Sequence, residues 1–398
     1  MIEFIRYSHS RITDTSLDFS RSMMKEIDWS HRLIGITGSR GTGKTTLMLQ
    51  HLKKNFGVSE SALYLSLDNI YFLKTNLVDI AEDFYNNGGR FLFLDEVHRY
   101  PSWSIEIKNI YDTFRDLNIV FSGSSALQIH KAEADLSRRT AIYNLQVMSF
   151  REYLALSEGL VFPTYKLNDI LQNHQEIASE LARKFQPLPM FSKYLQGGTY
   201  PFFIESQAKF PERLLSTVHV ILETDIPAVE KITYSSIVSL KRILAFIAES
   251  VPYKPNISEL SRKAGVSRDV LLRLISLLER SGILRLLRQD SSHTGYLTKP
   301  EKIYLDNTAL LYALSPGKVP EKGTLRETFF ASQLTANHNV TIPEEGDFFV
   351  NNEILFEIGG KNKTTKQVKH SGHAFIAADD TVTGYRNIVP LWLFGFMY

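Results

Sequence analysis

Short apolar runs punctuate the first third of the chain. Leu33–Thr37, Ala62–Leu67, Phe91–Leu94 and Asn118–Phe121 each read as a buried strand, and Thr46–Leu52 has the spacing of a helix. Farther along, Ser239–Ser250 carries Leu240, Ile243, Leu244, Phe246 and Ile247 on one helical face. Asn256 is placed to cap a helix over Ile257–Ala264. Gly265-Val266 then turns the chain into a second helix, Ser267–Ser281. Gly282–Leu287 begins a strand whose partner is expected near Lys302–Leu305. Leu325–Phe330 reads as an amphipathic helix, Gly346–Val350 and Glu353–Ile358 as neighbouring strands, and Ile388–Tyr398 as a buried terminal strand. The stretch from Ala155 to Lys193 is helical without a motif, and Tyr165–Arg183 is expected to form an exposed lid. There is no internal repeat.

Length and composition narrow the class. The 398 residues suffice for two or three domains, and 43% hydrophobic with 22% charged residues is ordinary for a globular protein. A formal charge of +2 gives little whole-chain attraction to nucleic acid, so a basic face must be local. The absence of cysteine removes disulfides and thiolate metal sites and fits a reducing cytoplasm. Met1–Ser8 lacks the layout of a signal peptide, and no apolar run approaches the roughly 20 residues that span a bilayer. The expectation is a soluble, cytoplasmic protein that does not enter membranes.

The strand Leu33–Thr37 runs directly into Gly38-Ser39-Arg40-Gly41-Thr42-Gly43-Lys44-Thr45, which fits G-x-x-x-x-G-K-[ST] at every position. Glycines let consecutive N–H groups bend toward phosphate, and the following helix adds its positive N-terminus. Gly38, Ser39, Arg40, Gly41, Thr42, Gly43, Lys44, Thr45 and Thr46 are therefore the expected ATP-binding residues, with Lys44 on the β- and γ-phosphates and Thr45 on Mg²⁺. Phe91–Leu94 ends in Asp95-Glu96, where Asp95 would hold the Mg²⁺ shell and Glu96 would polarise the attacking water. The adjacent glutamate marks the ATPase branch with an extra strand between the two motifs, for which Ala62–Leu67 is the candidate. Asn118–Phe121 ends in Ser122-Gly123-Ser124-Ser125, where Ser124 or Ser122 is expected to contact the γ-phosphate or the attacking water. His98, just after this motif, reads as structural.

These segments, with Leu136-Ser137-Arg138-Arg139, Ser149–Leu154 and the glycine-rich Tyr194–Pro201, resemble a prokaryotic family of AAA-type ATPases. Its members join the ATPase to a winged helix and a C-terminal PD-(D/E)xK nuclease-like domain of uncertain function. The resemblance implies an α/β fold with an ASCE/AAA-type parallel sheet and helices on both faces. A winged helix and a small restriction-endonuclease-like α/β domain would follow. The expected divisions are 1–160 for the ATPase, 161–235 for a helical lid, 236–305 for the winged helix and 306–398 for the nuclease-like part. Arg139 matches the arginine that the family directs at the γ-phosphate, with Arg138 in place of a glycine. Acting in a neighbouring subunit, it would make turnover depend on a homo-oligomer.

From Ser236 to Pro300 there are eleven Lys and Arg against five Asp and Glu, a local charge of +6. In a helix-turn-helix the second helix enters the major groove, so Arg268 and Arg273 are DNA-binding candidates. The alternative use of this segment is as a protein-packing module. Asp347 and Glu357 match the metal-binding acids of the nuclease-like core, but Gly359 stands where its lysine belongs. Lys361 has the right parity but lies about 7 Å farther along an ideal strand, unless a glycine bulge returns it. An inactive or DNA-gripping remnant is favoured over a working nuclease. Lys361, Lys363, Lys366 and Lys369 form a basic run that could meet phosphate. Three functions follow: an ATPase coupled to double-stranded DNA, a slow nucleotide switch acting on protein partners, and a nuclease gated by ATP.

Overall fold

The computed structural model describes residues 2–123, 136, 138–289, 299–315, 317–361 and 373–398. The chain divides into two units. The first comprises Met1–Gln146 together with Glu223–Lys231, and the second Val147–Leu222 together with Ile232–Tyr398.

In the first unit, α1 (Ile2–Thr13) precedes β1 (Leu33–Thr37), α2 (Lys44–Asn55), β2 (Ala62–Ser66), α3 (Leu77–Asn86), β3 (Phe91–Asp95), α4 (Trp103–Thr113), β4 (Asn118–Ser122) and β5 (Ala141–Asn144). All five strands are parallel, in the order β2-β3-β4-β1-β5. The strand lying between the two phosphate-site strands is thus β4, while β2, which follows α2 in sequence, sits at the edge. Alternation along the strands sends neighbouring residues to opposite faces. Leu63, Leu65, Leu92, Leu94, Ile119 and Phe121 pack with the α3 and α4 residues Ile80, Phe84, Ile107 and Ile110. Tyr64, Phe93, Val120, Ile34 and Ile36 pack with Leu47, Met48 and Leu52 of α2. Helices on both faces bury β1 to β4, which is why these runs are continuously apolar instead of alternating with polar residues. β5 escaped the sequence reading because its burial alternates, with only Ala141 and Tyr143 partly covered.

On the α2 face, Trp29 stacks on His51 with ring centroids 3.5 Å apart. Burial, reinforced by Lys54, lowers the His51 pKa from 6.5 to about 4. A depressed folded-state pKa means that protonation favours the unfolded chain. This contribution is complete above pH 6.5 and is lost as pH falls toward about 4. Denaturant titrations across that window should show falling stability, with a shallower fall in His51→Gln; parallel slopes would remove His51 from the account.

In the second unit, α5 (Phe150–Glu158), α6 (Leu167–Ala182), α7 (Pro187–Gly197) and α8 (Phe210–Val220) come first. Then follow α9 (Tyr234–Ser250), α10 (Ile257–Ala264), α11 (Arg268–Arg280), β6 (Leu284–Leu287) and β7 (Lys302–Leu305). The unit ends with α12 (Thr308–Leu314), α13 (Lys322–Leu334), β8 (Val340–Thr341), β9 (Phe348–Val350), β10 (Ile354–Gly359), β11 (Ala374–Ala378) and β12 (Ile388–Pro390). Asn256 caps α10 through a hydrogen bond to the Glu259 N–H, and Gly265 ends it with φ +70°. β6 and β7 form an antiparallel pair. The second sheet has the order β12-β11-β10-β9-β8, parallel from β10 to β12 and antiparallel from β8 to β10.

Three expectations change here. α5 lies inside the 1–160 division yet belongs to the second unit, because Phe150 packs among Phe185, Phe191, Tyr194 and Phe396. Tyr165–Arg183 is not an exposed lid: α6 buries Leu167, Ile170, Leu171, His174, Ile177, Ala178 and Leu181 on one face. The terminal segment is strand only to Pro390 and then becomes a buried 3-10 helix, Leu391–Phe396, because proline has no N–H with which to continue the ladder.

Candidate nucleotide site

The phosphate loop leaves the C-terminal end of β1, and α2 starts at Lys44 with Gly43 as its N-cap at φ +98°. Gly38 adopts φ +139°, and a Cβ there would stand 2.3 Å from the Leu145 carbonyl oxygen. Only glycine permits that approach, which holds the loop against the chain leaving β5. Arg21 supports the loop from outside, donating to the Thr42 and Gln146 carbonyls at 2.5 and 2.8 Å. Lys44 is buried, and its ammonium donates to the Gly38 and Ser39 carbonyls at 2.8 and 2.9 Å. Burial lowers its pKa, while Glu96 and Asp95 oppose that shift. Of the remaining expected binding residues, Ser39, Arg40, Gly41 and Thr45 are partly open, Thr42 is buried, and Thr46 is exposed on the first turn of α2.

At the end of β3, Asp95 is a hub. Thr45 Oγ1 and Tyr64 OH donate to Asp95 Oδ2 at 2.7 and 2.8 Å, and Ser122 Oγ donates to Oδ1. Sequence reasoning missed Tyr64, which is one apolar residue among several in β2. Of the two serines, Ser122 is bonded to Asp95, and Ser124 lies outside the described residues. Glu96 takes a left-handed backbone, φ 52°, unusual for a residue with a side chain. Burial, then Asp95, raises its pKa, against His98, Lys44 and Arg40. Its Oε2 is buried and makes no hydrogen bond to the described residues. His98 Nδ1 stands 3.4 Å from that oxygen, and His98 Nε2 is 3.7 Å from Asp225.

Two family matches coincide with parts of the chain. Residues 30–154 match the family described as an AAA domain. The matched stretch contains the β2-β3-β4-β1 part of the sheet and β5, so it is this parallel sheet, with the glycine loop after β1 and the acids after β3, that is similar to an AAA domain. Residues 188–321 match a domain of unknown function, DUF8612. An uncharacterised protein of Methanocaldococcus jannaschii is 26% identical over 285 residues, 68% of this chain and 60% of that relative. Among solved structures, a Walker-type ATPase of Pyrococcus abyssi gives a TM-score of 0.41 at 11% identity, covering 78% of this chain and 95% of that one. The Aeropyrum pernix ORC1 protein in complex with DNA gives 0.31 at 13%, covering 79% and 92%. AMPPCP-bound DnaA from Aquifex aeolicus gives 0.27 at 15%, covering 70% and 88%. Scores at this level leave these three as distant likenesses.

Arg139 stands apart from the AAA domain's phosphate loop. It precedes β5, whose Ala141 is level with Ile34 near the start of β1, whereas the loop leaves the opposite end. A strand-length of about 15 Å separates them. Its guanidinium forms a bidentate pair with Asp112, at 3.1 and 3.2 Å. It does not reach this chain's own phosphate site.

In the second unit, Arg268 and Arg273 are exposed on α11, while Leu271, Leu272, Leu274 and Ile275 face inward. Other bases of the segment are paired with acids: Lys263 with Glu259, Arg285 with Asp306 just past the segment, and Arg288 with Glu279. Asp347 Oδ2 accepts the Ile358 N–H at 2.8 Å, and Glu357 is buried on β10. Among the described residues, no group of three or more His, Cys, Asp or Glu could hold a metal. The glycine bulge does not occur. β10 stays in register with β11 to Gly359, so Lys361 lies beyond the strand in an exposed turn. The group near Gly360 is instead Arg326, within 3.2 Å of where a Cβ would stand, and it pairs with Asp379 and Asp380. Lys363, Lys366 and Lys369 lie outside the described residues. No described helix is long and apolar enough to cross a membrane.

Proposed function

We propose that this protein binds Mg-ATP at Gly38–Thr45, hydrolyses it with Glu96 as the base, and couples nucleotide state to duplex DNA through residues 236–305. The observation carrying the ATPase reading is the Thr45–Asp95 hydrogen bond beside a buried Glu96 oxygen that makes no hydrogen bond to the described residues. Thr45 and Asp95 offer the hard oxygen donors that suit Mg²⁺, and once bound it would neutralise phosphate charge. Lys44 exchanges the Gly38 and Ser39 carbonyls for phosphate oxygens. Glu96 holds the attacking water at its buried oxygen and takes its proton. Arg139, remote from its own loop, can serve only a neighbouring copy of the chain.

The DNA arm rests on α9–α11 and the β6–β7 ribbon, read as a winged helix. The exposed residues of α11, Arg268, Asp269, Val270 and Arg273, cluster at its N-terminal end, the end that meets bases in helix-turn-helix proteins. The pairing of Lys263, Arg285 and Arg288 with acids favours the second reading, a slow switch acting on protein partners. ATP turnover and DNA binding measured against salt separate the two. DNA stimulation of turnover is expected, with Arg268→Ala and Arg273→Ala each reducing the salt slope by about one. Turnover indifferent to DNA, with no salt-sensitive binding, would select the switch.

A further inference from the structure

A second cluster of charge gathers on Asp225. Its side chain is 2% exposed. Arg40 Nη1 lies 3.3 and 3.2 Å from its two oxygens, and Arg99 Nη2 lies 2.9 Å from Oδ1. His98 completes the ring, with Nε2 toward Asp225 and Nδ1 toward Glu96. Arg40 belongs to the phosphate loop, and His98 and Arg99 belong to the turn that follows Glu96. Asp225 arrives from far along the chain, in Glu223–Lys231, a segment that joins the AAA unit although the chain before and after it belongs to the other unit. It closes a π-helical turn, Ile221–Asp225, a rare form concentrated at functional sites.

We propose that Asp225 is a positioning residue for ATP turnover: through His98 it fixes the Glu96 carboxylate, and through Arg40 it neutralises a phosphate-loop cation until triphosphate binds. The proposal rests on the reading of Glu96 as the base. Burial pushes the Asp225 carboxyl up, but its hydrogen bond to His98 and the charges of Arg40, His98 and Arg99 outweigh this and hold it below the usual carboxylate range. Arg40 also acts on Lys44 and on Glu96, depressing the pKa of each, so its charge is felt on both sides of the phosphate site. A buried ion pair is weak evidence for stability in itself, and an apolar contact could staple the segment as well. The orientation of His98 toward Glu96 is what a staple does not need.

The test measures kcat and the ATP dissociation constant for Asp225→Asn, His98→Gln, their double variant and Arg40→Gln, with Glu96→Gln as reference. Asp225→Asn keeps the shape and removes the charge. It should bind ATP several-fold more tightly, because Arg40 is released beside the phosphates, yet turn over about tenfold more slowly as Glu96 loses its orientation. His98→Gln should lower kcat alike without changing affinity, and the double variant should be no slower than the slower single. Arg40→Gln should weaken ATP binding. A mere staple would instead make Asp225→Asn weaker in binding and slower together, and that result overturns the proposal. So does an unchanged kcat in Asp225→Asn or a double variant whose losses multiply. Should Asp225→Asn not fold, unchanged kcat in His98→Gln or unchanged affinity in Arg40→Gln overturns it. Normal turnover by Glu96→Gln would instead sink the base assignment, leaving the affinities of Asp225→Asn and Arg40→Gln to decide the Arg40 arm.

Discussion

Glu96→Gln is expected to bind Mg-ATP as tightly as the parent and to hydrolyse it about 10²–10⁴-fold more slowly, a loss of about 3–5 kcal/mol in transition-state stabilisation. The amide keeps the side chain's size within its half-enclosed place beside His98, so the fold should survive. What disappears is the capacity to accept a proton at an oxygen that makes no hydrogen bond to the described residues and faces the His98 ring at 3.4 Å. Asp95 cannot take over, because Thr45, Tyr64 and Ser122 already occupy its oxygens. Phosphate release beside direct binding of ATP makes the distinction. Near-parental turnover would remove Glu96 from the mechanism, and loss of binding would show that it serves the loop's structure.

Lys44→Ala should do the reverse, with binding itself lost. The ammonium makes two hydrogen bonds to loop carbonyls, and on binding these pass to phosphate oxygens. Two charge-assisted hydrogen bonds are worth about 3–6 kcal/mol, so ATP affinity should fall by about 10²–10⁴-fold. The nucleotide-free protein need not lose stability, because the substitution also removes a buried charge whose desolvation opposes its charged form. Calorimetric titration with ATP and a melting curve of the nucleotide-free variant test both halves. Affinity close to the parent's would mean that the phosphates do not sit on this loop.

The difference between these variants follows the difference between what is local in the sequence and what is assembled. Gly38–Thr45 was legible because backbone geometry and phosphate chemistry both act within one loop, and Gly38 meets the Leu145 carbonyl as only glycine can. Asp95-Glu96 was legible because an apolar strand ending in two acids is a local pattern. The helices α10 and α11 formed where Asn256, Gly265 and the apolar spacing placed them. Tyr64, Arg21 and Asp225 carry no such mark, since each matters only through a partner brought close by strand order or by the chain's return. His98 was visible beside the motif, but its contact with Asp225 was not.

The exposed lid, the terminal strand and the glycine bulge failed for a related reason. Helical spacing in Leu167–Ala182 reveals a face but not whether anything covers it, and the parity of Lys361 says nothing of where the ladder stops. By itself, then, the sequence determined the glycine loop after β1, the two acids at the end of β3 and most helices, because dihedral preference, capping and periodicity act over a few residues. The tertiary structure alone decided that β4 separates the two site strands and that Arg139 lies a strand-length from its own loop. It also brought Asp225 back to Arg40 and His98. Those are distances between residues far apart in the chain, set by how sheets and helices bury their surfaces together, and no local pattern encodes them.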